Sequence, residues 1–139
     1  MRFLIASDED RPVGLLVASV LRDRGHEARV LPVGPWARVA TDLARALTRG
    51  EADQGVVCCW TGTGVTMAAN KVRGIRAALC GDAATASGAR KWNDANVLGL
   101  SLRLLAEPLA TEIVHAWLDA EYTGSEAASL AVLAESEAG

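Results

Sequence analysis

The chain is poor in the residues that several protein classes require. Two histidines and three cysteines, with no CxxC pair and no Cys/His spacing, leave no zinc site to expect. An odd thiol count also cannot close a disulfide framework, so free thiols in a reducing compartment are expected. No apolar run approaches the roughly 20 residues that a membrane helix needs. The opening MRFLIASDED lacks the basic start and small-residue cleavage site of a signal peptide. A soluble, cytoplasmic protein without a membrane partner is the expectation. Basic residues are scattered and the formal net charge is -3, which argues against nucleic acid as a partner, because phosphate binding needs clustered Lys and Arg. Neither GxGxxG nor GxxxxGK[ST] occurs, which removes the dinucleotide and P-loop signatures. Internal repeats and low-complexity tracts are absent as well.

What is present is an alternation of short apolar runs and helical patterns. At 139 residues, half of them hydrophobic, the chain suits one domain, residues 1–139, with its own core. Strands are expected at Arg2 to Ala6, Glu27 to Leu31, Gly55 to Cys59, Ile75 to Cys80 and Val97 to Ser101. Between them, Val13, Leu16, Val17, Val20 and Leu21 share a helical face after Pro12, and Val39, Leu43 and Leu47 share another. Met67 to Val72 is expected as a short helix and Asp82 to Lys91 as an alanine-rich one. Pro108 opens an amphipathic helix through Leu109, Ile113, Trp117 and Leu118. Such alternation implies an α/β fold: a five-stranded parallel sheet with helices on both faces. A last helix-prone segment, Ser125 to Ala138, carries Leu130, Leu133 and Ala134 on one side and is expected to dock on its own domain or on a partner chain.

In this architecture ligands bind beyond the carboxyl ends of the strands, where the strand order reverses. SDED (Ser7 to Asp10) and CWTGTG (Cys59 to Gly64) fall at such ends, and KWNDAN (Lys91 to Asn96) can reach them only from a neighbouring loop or a second subunit. Thr61, Gly62, Thr63 and Gly64 before a helix offer backbone N–H groups that stabilise an anion. That anion need not be phosphate; an enediolate oxygen formed during a reaction would fit as well. Cys59 stands at the base of this loop, where a helix N-terminus and nearby donors favour the thiolate form of a cysteine, able to accept a proton or attack as a nucleophile. The competing role is that of a small buried hydrophobe, which is also the reading for Cys58 and Cys80. His26, in a turn, and His115, on the late helix, read as structural or surface residues.

The stretch CWTGTGVTMAANKVRGIRAALCGD resembles the ribose-5-phosphate isomerase B family, which includes the galactose-6-phosphate isomerase subunits and reads CGTGxGxxxAANKxxGIRAALCxD. The opening Ser-Asp, GHE (Gly25 to Glu27), RGEAD (Arg49 to Asp53) and NDANVLGL (Asn93 to Leu100) extend the similarity to about Tyr122. The resemblance implies a Rossmann-like fold in a homodimer or dimer of dimers with shared active sites. It also implies a cofactor-free, metal-free isomerisation of an aldose or ketose phosphate. By the same resemblance Cys59 moves the proton between C1 and C2, the glycine loop holds the enediolate, Thr61 helps open the sugar ring and Asp8 binds sugar hydroxyls.

The departures from the pattern fall where the family handles substrate. The family's His is Glu9 in the first loop, followed by Asp10, and is Trp92 before Asn93 in the NDAN loop. Its Tyr aligns with Trp36 and its Gly after the cysteine with Trp60. The arginines of the family's C-terminus are replaced by SEAASLAVLAESEAG, which holds no basic residue. Added carboxylates and lost cations disfavour a phosphate dianion, so a divergent isomerase acting on something other than ribose 5-phosphate is expected. The alternative is a non-catalytic, ligand-binding member, such as a subunit of a heteromer. The three tryptophans either fill space left by the lost polar groups or wall a pocket for a carbohydrate-like or stacking ligand. Glu9 is either a second acid/base beside Asp8 or a solvated loop acid.

Overall fold

A computed structural model describes residues 1–138 of the chain. Five strands and six helices alternate: β1 (Arg2–Ser7), α1 (Pro12–Asp23), β2 (Glu27–Val30), α2 (Trp36–Thr48), β3 (Gln54–Cys59), α3 (Thr63–Asn70), β4 (Ala77–Leu79), α4 (Ala83–Asn93), β5 (Val97–Ser101), α5 (Glu107–Asp119) and α6 (Ala127–Ala138). The sheet is parallel throughout, in the order β2-β1-β3-β5-β4. This is the Rossmann-like α/β architecture that the alternating pattern implies.

Residues alternate between the two sheet faces with the strand period of two. Phe3, Ile5, Val56, Cys58, Leu98 and Leu100 pack against α1, α4 and α5, with the Trp117 indole buried among them. Leu4, Ala6, Val57, Cys59 and Val97 face α2 and α3 through Leu43, Ala44, Val65 and Ala69. The adjacent thiols of Cys58 and Cys59 therefore lie on opposite faces of β3. The Trp117 indole N–H finds its partner in the Gln54 side-chain oxygen at 2.8 Å, both groups buried.

Most ends move by one or two residues, among them α4, which runs on through Trp92 to Asn93, and two elements differ more from the sequence expectation. Helix α3 begins at Thr63 instead of Met67, because Gly62 takes the left-handed conformation (φ 77°) and turns the chain directly from β3 into the helix. Strand β4 is shorter than Ile75 to Cys80, because polar side chains take over its first pairings. The Asn96 amide binds Arg76 N–H at 2.8 Å and the Gly74 carbonyl at 3.0 Å. The Asn70 amide clips both polar groups of Ala77, at 2.8 and 2.9 Å. β4 lies at the sheet edge, so Asn70 imitates a further strand there. Asn70→Ala is expected to cost about 1–2 kcal/mol, the worth of two exposed hydrogen bonds. Urea unfolding should register the loss and the Ala77 amide should exchange faster with deuterium.

The C-terminal helix α6 has no buried residue. It meets the fold where Arg73 donates to the Glu137 carbonyl at 2.7 Å and Gly74 N–H to the Glu137 carboxylate at 3.1 Å. Among the described residues no helix is long and apolar enough to cross a membrane.

Candidate active site

The chain leaves β1 for β2 on one side of the sheet and leaves β3 for β4 and β5 on the other. The carboxyl ends of β1 and β3 are neighbours, with Ser7 in register with Cys58. They frame the crevice where open α/β sheets place their ligands. Asp8 N–H donates to the Cys58 carbonyl at 3.3 Å and Leu102 N–H to that of Cys59 at 2.9 Å, fixing the strand ends on both sides. A pocket of about 420 Å³ opens there, lined by Asp8, Trp36, Cys59, Trp60, Thr61, Thr63, Gly64 and Met67. Seven of these eight are residues that sequence reasoning selected, drawn from three separate stretches of chain.

Cys59 closes β3 and is 6% exposed, at the floor of the pocket. Cys58, fully buried on the other face, has its thiol pushed up to about 12 by burial, with Cys59 and Asp8 adding to the effect. Burial does the same to Cys80, also to about 12. Both remain protonated packing residues at neutral pH. Of the three thiols only Cys59 lines the crevice.

The loop beyond Cys59 is held from its carbonyls. Ser101 Oγ and Arg103 N–H both donate to the Trp60 carbonyl, at 3.1 and 3.0 Å. Thr66 Oγ1 donates to that of Gly62 at 2.7 Å. The Thr61 and Thr63 hydroxyls bond each other at 2.7 Å. The first N–H groups of a helix have no intrahelical acceptor, and here they belong to Thr63 and Gly64, which line the pocket. Gly62 itself does not line it; it supplies the turn that aims these groups. Gly64 leaves room for an indole: a Cβ there would lie 2.9 Å from Cε3 of Trp36. Trp36 thus depends on the glycine opposite it.

Asp8 reaches the same pocket, and its Oδ1 is buried without a hydrogen-bond partner among the described residues. Burial, followed by the charge of Glu9, holds its carboxyl above the ordinary value of 3.8. The protonated form therefore suits the folded state better than the charged form. Stability owed to this group is complete below about pH 3.8 and is lost as the pH rises through the raised value. Asp8→Asn is expected to be more stable than the parent at pH 7 and indistinguishable from it near pH 3. Urea unfolding at the two pH values checks this.

The remaining selected residues lie outside the pocket. Glu9 turns away: its carboxylate accepts from Arg11 Nε at 2.7 Å, while its backbone and the Ser7 hydroxyl close a small turn. Trp92, on α4, lays its ring over Gly88, and Asn93 lines a separate cleft with Lys71 and Arg73. The rest of the NDAN motif works on structure. Asp94 takes a left-handed conformation (φ 46°) and pairs with Arg76 and Arg90, and Asn96 holds the edge strand. His26 receives the N-terminal ammonium at 2.8 Å, and His115 pairs with Arg24 at 3.0 Å.

Sequence reasoning missed two neighbours of the site. Met67 faces the pocket because α3 starts four residues earlier than expected, which puts Met67 on the same helical face as Thr63. Arg11 places its guanidinium over the Trp60 ring, 5.4 Å from the centroid. Its only signal was its position before Pro12, which fixes the backbone at the start of α1 but does not say where the side chain turns.

A sequence profile of the Ribose/Galactose Isomerase family matches residues 17–132. The chain belongs to this family. It is 40% identical over 115 residues to ribose-5-phosphate isomerase B of Escherichia coli, covering 78% of this chain and 76% of that protein. It is 48% identical over 90 residues to D-erythrulose-4-phosphate isomerase of Pectobacterium atrosepticum, covering 65% of this chain and 59% of the relative, less than two thirds of its length. Among solved structures, ribose-5-phosphate isomerase B of Clostridium thermocellum superimposes with a TM-score of 0.94 at 36% identity, covering 99% of this chain and 98% of the other. All three are named as sugar-phosphate isomerases, two for ribose 5-phosphate and one for D-erythrulose 4-phosphate.

Proposed function

We propose that this chain is an aldose-ketose isomerase that moves a proton between C1 and C2 of an open-chain sugar, with Cys59 as the base. The observation that carries this reading is the convergence of Cys59, Asp8 and the Thr61 to Gly64 loop in one pocket at the reversal of strand order. In its thiolate form Cys59 takes the proton from C2 of the aldose. Negative charge moves to the oxygen on C1, where the free N–H groups at the start of α3 stabilise it. A proton then passes from the C2 hydroxyl to the C1 oxygen, which moves the charge to the oxygen on C2, and Cys59 returns its proton to C1, giving the ketose with no redox partner. Asp8 accepts hydrogen bonds from sugar hydroxyls, and the Thr61 and Thr63 hydroxyls serve ring opening.

The substrate is something other than ribose 5-phosphate. Among the described residues no Lys, Arg or His lines the pocket, and Trp36, Trp60 and Met67 give it large apolar walls. Family membership leaves the substrate open, since relatives of comparable identity carry names for different sugars. Trp92 and Asn93 would serve this site only from a second copy of the chain, in a homodimer with shared active sites.

The test is solvent exchange at C2. In deuterium oxide the intact protein is expected to wash the C2 proton out of an aldose that fits the pocket, read by proton NMR over a panel of free, phosphorylated and acidic aldoses. Binding without exchange for every member of the panel would favour the non-catalytic reading.

A further inference from the structure

The isomerisation needs a second proton transfer that Cys59 does not make. Once the C2 proton is on sulfur, the enediolate carries its charge on the C1 oxygen and a proton on the C2 oxygen. Ketose forms only after that proton has crossed between the two oxygens, and a carrier for it has to sit beside the thiol, within reach of both. Strand register supplies one. Ala6 pairs with Val57 and Ser7 with Cys58, and Asp8 N–H extends this ladder to the Cys58 carbonyl at 3.3 Å. The next pair is Asp8 beside Cys59, one strand spacing of about 4.8 Å away. Neighbours across a ladder point to the same face, and Ala6, Val57 and Cys59 all face α2 and α3. Asp8 and Cys59 accordingly line one pocket. This placement is made within one chain and does not depend on a second copy closing over the site.

We propose that Asp8 is a catalytic residue of this site, relaying the proton from the C2 hydroxyl to the C1 oxygen. The proposal rests on the reading of Cys59 as the base and adds the residue for the step between the oxygens. Asp8 Oδ1 is closed off by this chain's own atoms and has no hydrogen-bond partner among the described residues, so the relay runs through Oδ2. Oδ2 takes the proton as the O–H bond on C2 breaks and gives it up as an O–H bond forms on C1. The carboxylate ends as it began, and the step needs no oxidant or reductant. The two oxygens of a cis-enediol are neighbours, so one carboxyl oxygen meets both in turn. Burial, followed by the charge of Glu9, raises the carboxyl above its ordinary value of 3.8 and brings it nearer to the hydroxyls it serves, which eases both transfers. Thr61 and Thr63 are engaged with each other, and a threonine hydroxyl does not ionise near neutral pH. Trp92 and Asn93, the residues assigned to a second copy, do not carry a proton either: an indole N–H only donates and an amide does not titrate.

Asp8→Asn keeps the size of the side chain and its hydrogen bonds to hydroxyls but cannot pass a proton. The probe is whichever of D-ribose, D-ribose 5-phosphate and D-riburonate the intact protein exchanges fastest at C2 in deuterium oxide. Two rates are read by proton NMR in one sample: loss of the C2 proton from the aldose and appearance of the ketose. In Asp8→Asn the ratio of exchange to ketose formation is expected to rise at least about tenfold over that of the intact protein, because Cys59 still removes the C2 proton while water replaces a positioned acid/base poorly. Reading both rates from one sample cancels any loss of folded protein. A smaller rise, with both rates falling together, would mean that Asp8 only holds the sugar; it overturns the proposal and leaves the base in place. Cys59→Ala should lose exchange and ketose formation alike. Exchange that persists without the thiol, or an intact protein that exchanges none of the three aldoses, would instead contradict the isomerase reading, and the proposal falls with it.

Discussion

Cys59→Ala should reduce isomerisation by about 10²- to 10⁴-fold, the usual worth of a positioned acid/base, while leaving the protein folded. The side chain is small and stands at the end of β3 beside a cavity, so its loss opens little new void. The neighbouring substitution provides the contrast. Cys58 packs against the α1, α4 and α5 layer with no exposure at all, and its thiol is held protonated by that burial. Cys58→Ala should cost about 1 kcal/mol or more of stability through the cavity left behind, yet retain turnover. Two thiols one residue apart are thus predicted to divide cleanly, one into kcat and the other into the unfolding midpoint. Equal effects on activity would mean that the alternation of faces along β3 does not govern their roles.

Gly62→Ala should be the most damaging single methyl group in the site. The position has φ 77°, a conformation that costs a residue with a Cβ about 1–2 kcal/mol. The added Cβ would also lie 2.9 Å from the carbonyl carbon and oxygen of Leu100 and 2.6 Å from Leu79 Cδ1. The leucine methyl can rotate away. The Leu100 backbone is part of β5, in register with Cys58, and cannot move without disturbing the sheet. Together the strain and the overlap predict a loss of about 2–5 kcal/mol. Activity should fall further than stability, because the same turn aims the Thr63 and Gly64 N–H groups at the pocket. Parallel urea unfolding and initial-rate measurements check both parts; a change below about 0.5 kcal/mol, within ordinary surface scatter, would contradict the steric account.

The fold was legible because its signals are periodic. Every strand except β2, which reads Glu-Ala-Arg-Val, appeared as an apolar run, and the two-residue alternation that separates Cys58 from Cys59 follows directly from strand geometry. The start of α3 was not legible, since Thr63 and Gly64 are weak helix formers and enter the helix only because Gly62 turns the chain at that point. The ends of β4 depend on side-chain amides of Asn70 and Asn96 that reach across the fold, a tertiary effect that local pattern does not encode. In the site, residues tied to β1 and β3 could be placed because topology fixes strand ends. Trp36 joined them from the start of α2, stacked on Gly64. Arg11 could not be placed, because a long flexible side chain takes its direction from Glu9 and Trp60 and not from its position in the chain. The NDAN motif reads in sequence as part of the site, yet Asp94 and Asn96 act within this chain as a structural corner.

The central claim is that one thiol carries the proton. The most direct measurement follows a deuterium label placed at C2 of an aldose that the protein turns over, in ordinary water, into C1 of the ketose. A single base at Cys59 predicts partial transfer of the label, because the proton held on sulfur exchanges with solvent in competition with its return to carbon. Cys59→Ala should form ketose at least about 10²-fold more slowly. Complete retention of the label, which marks a hydride shift, or conversion at an undiminished rate without the thiol would contradict the account.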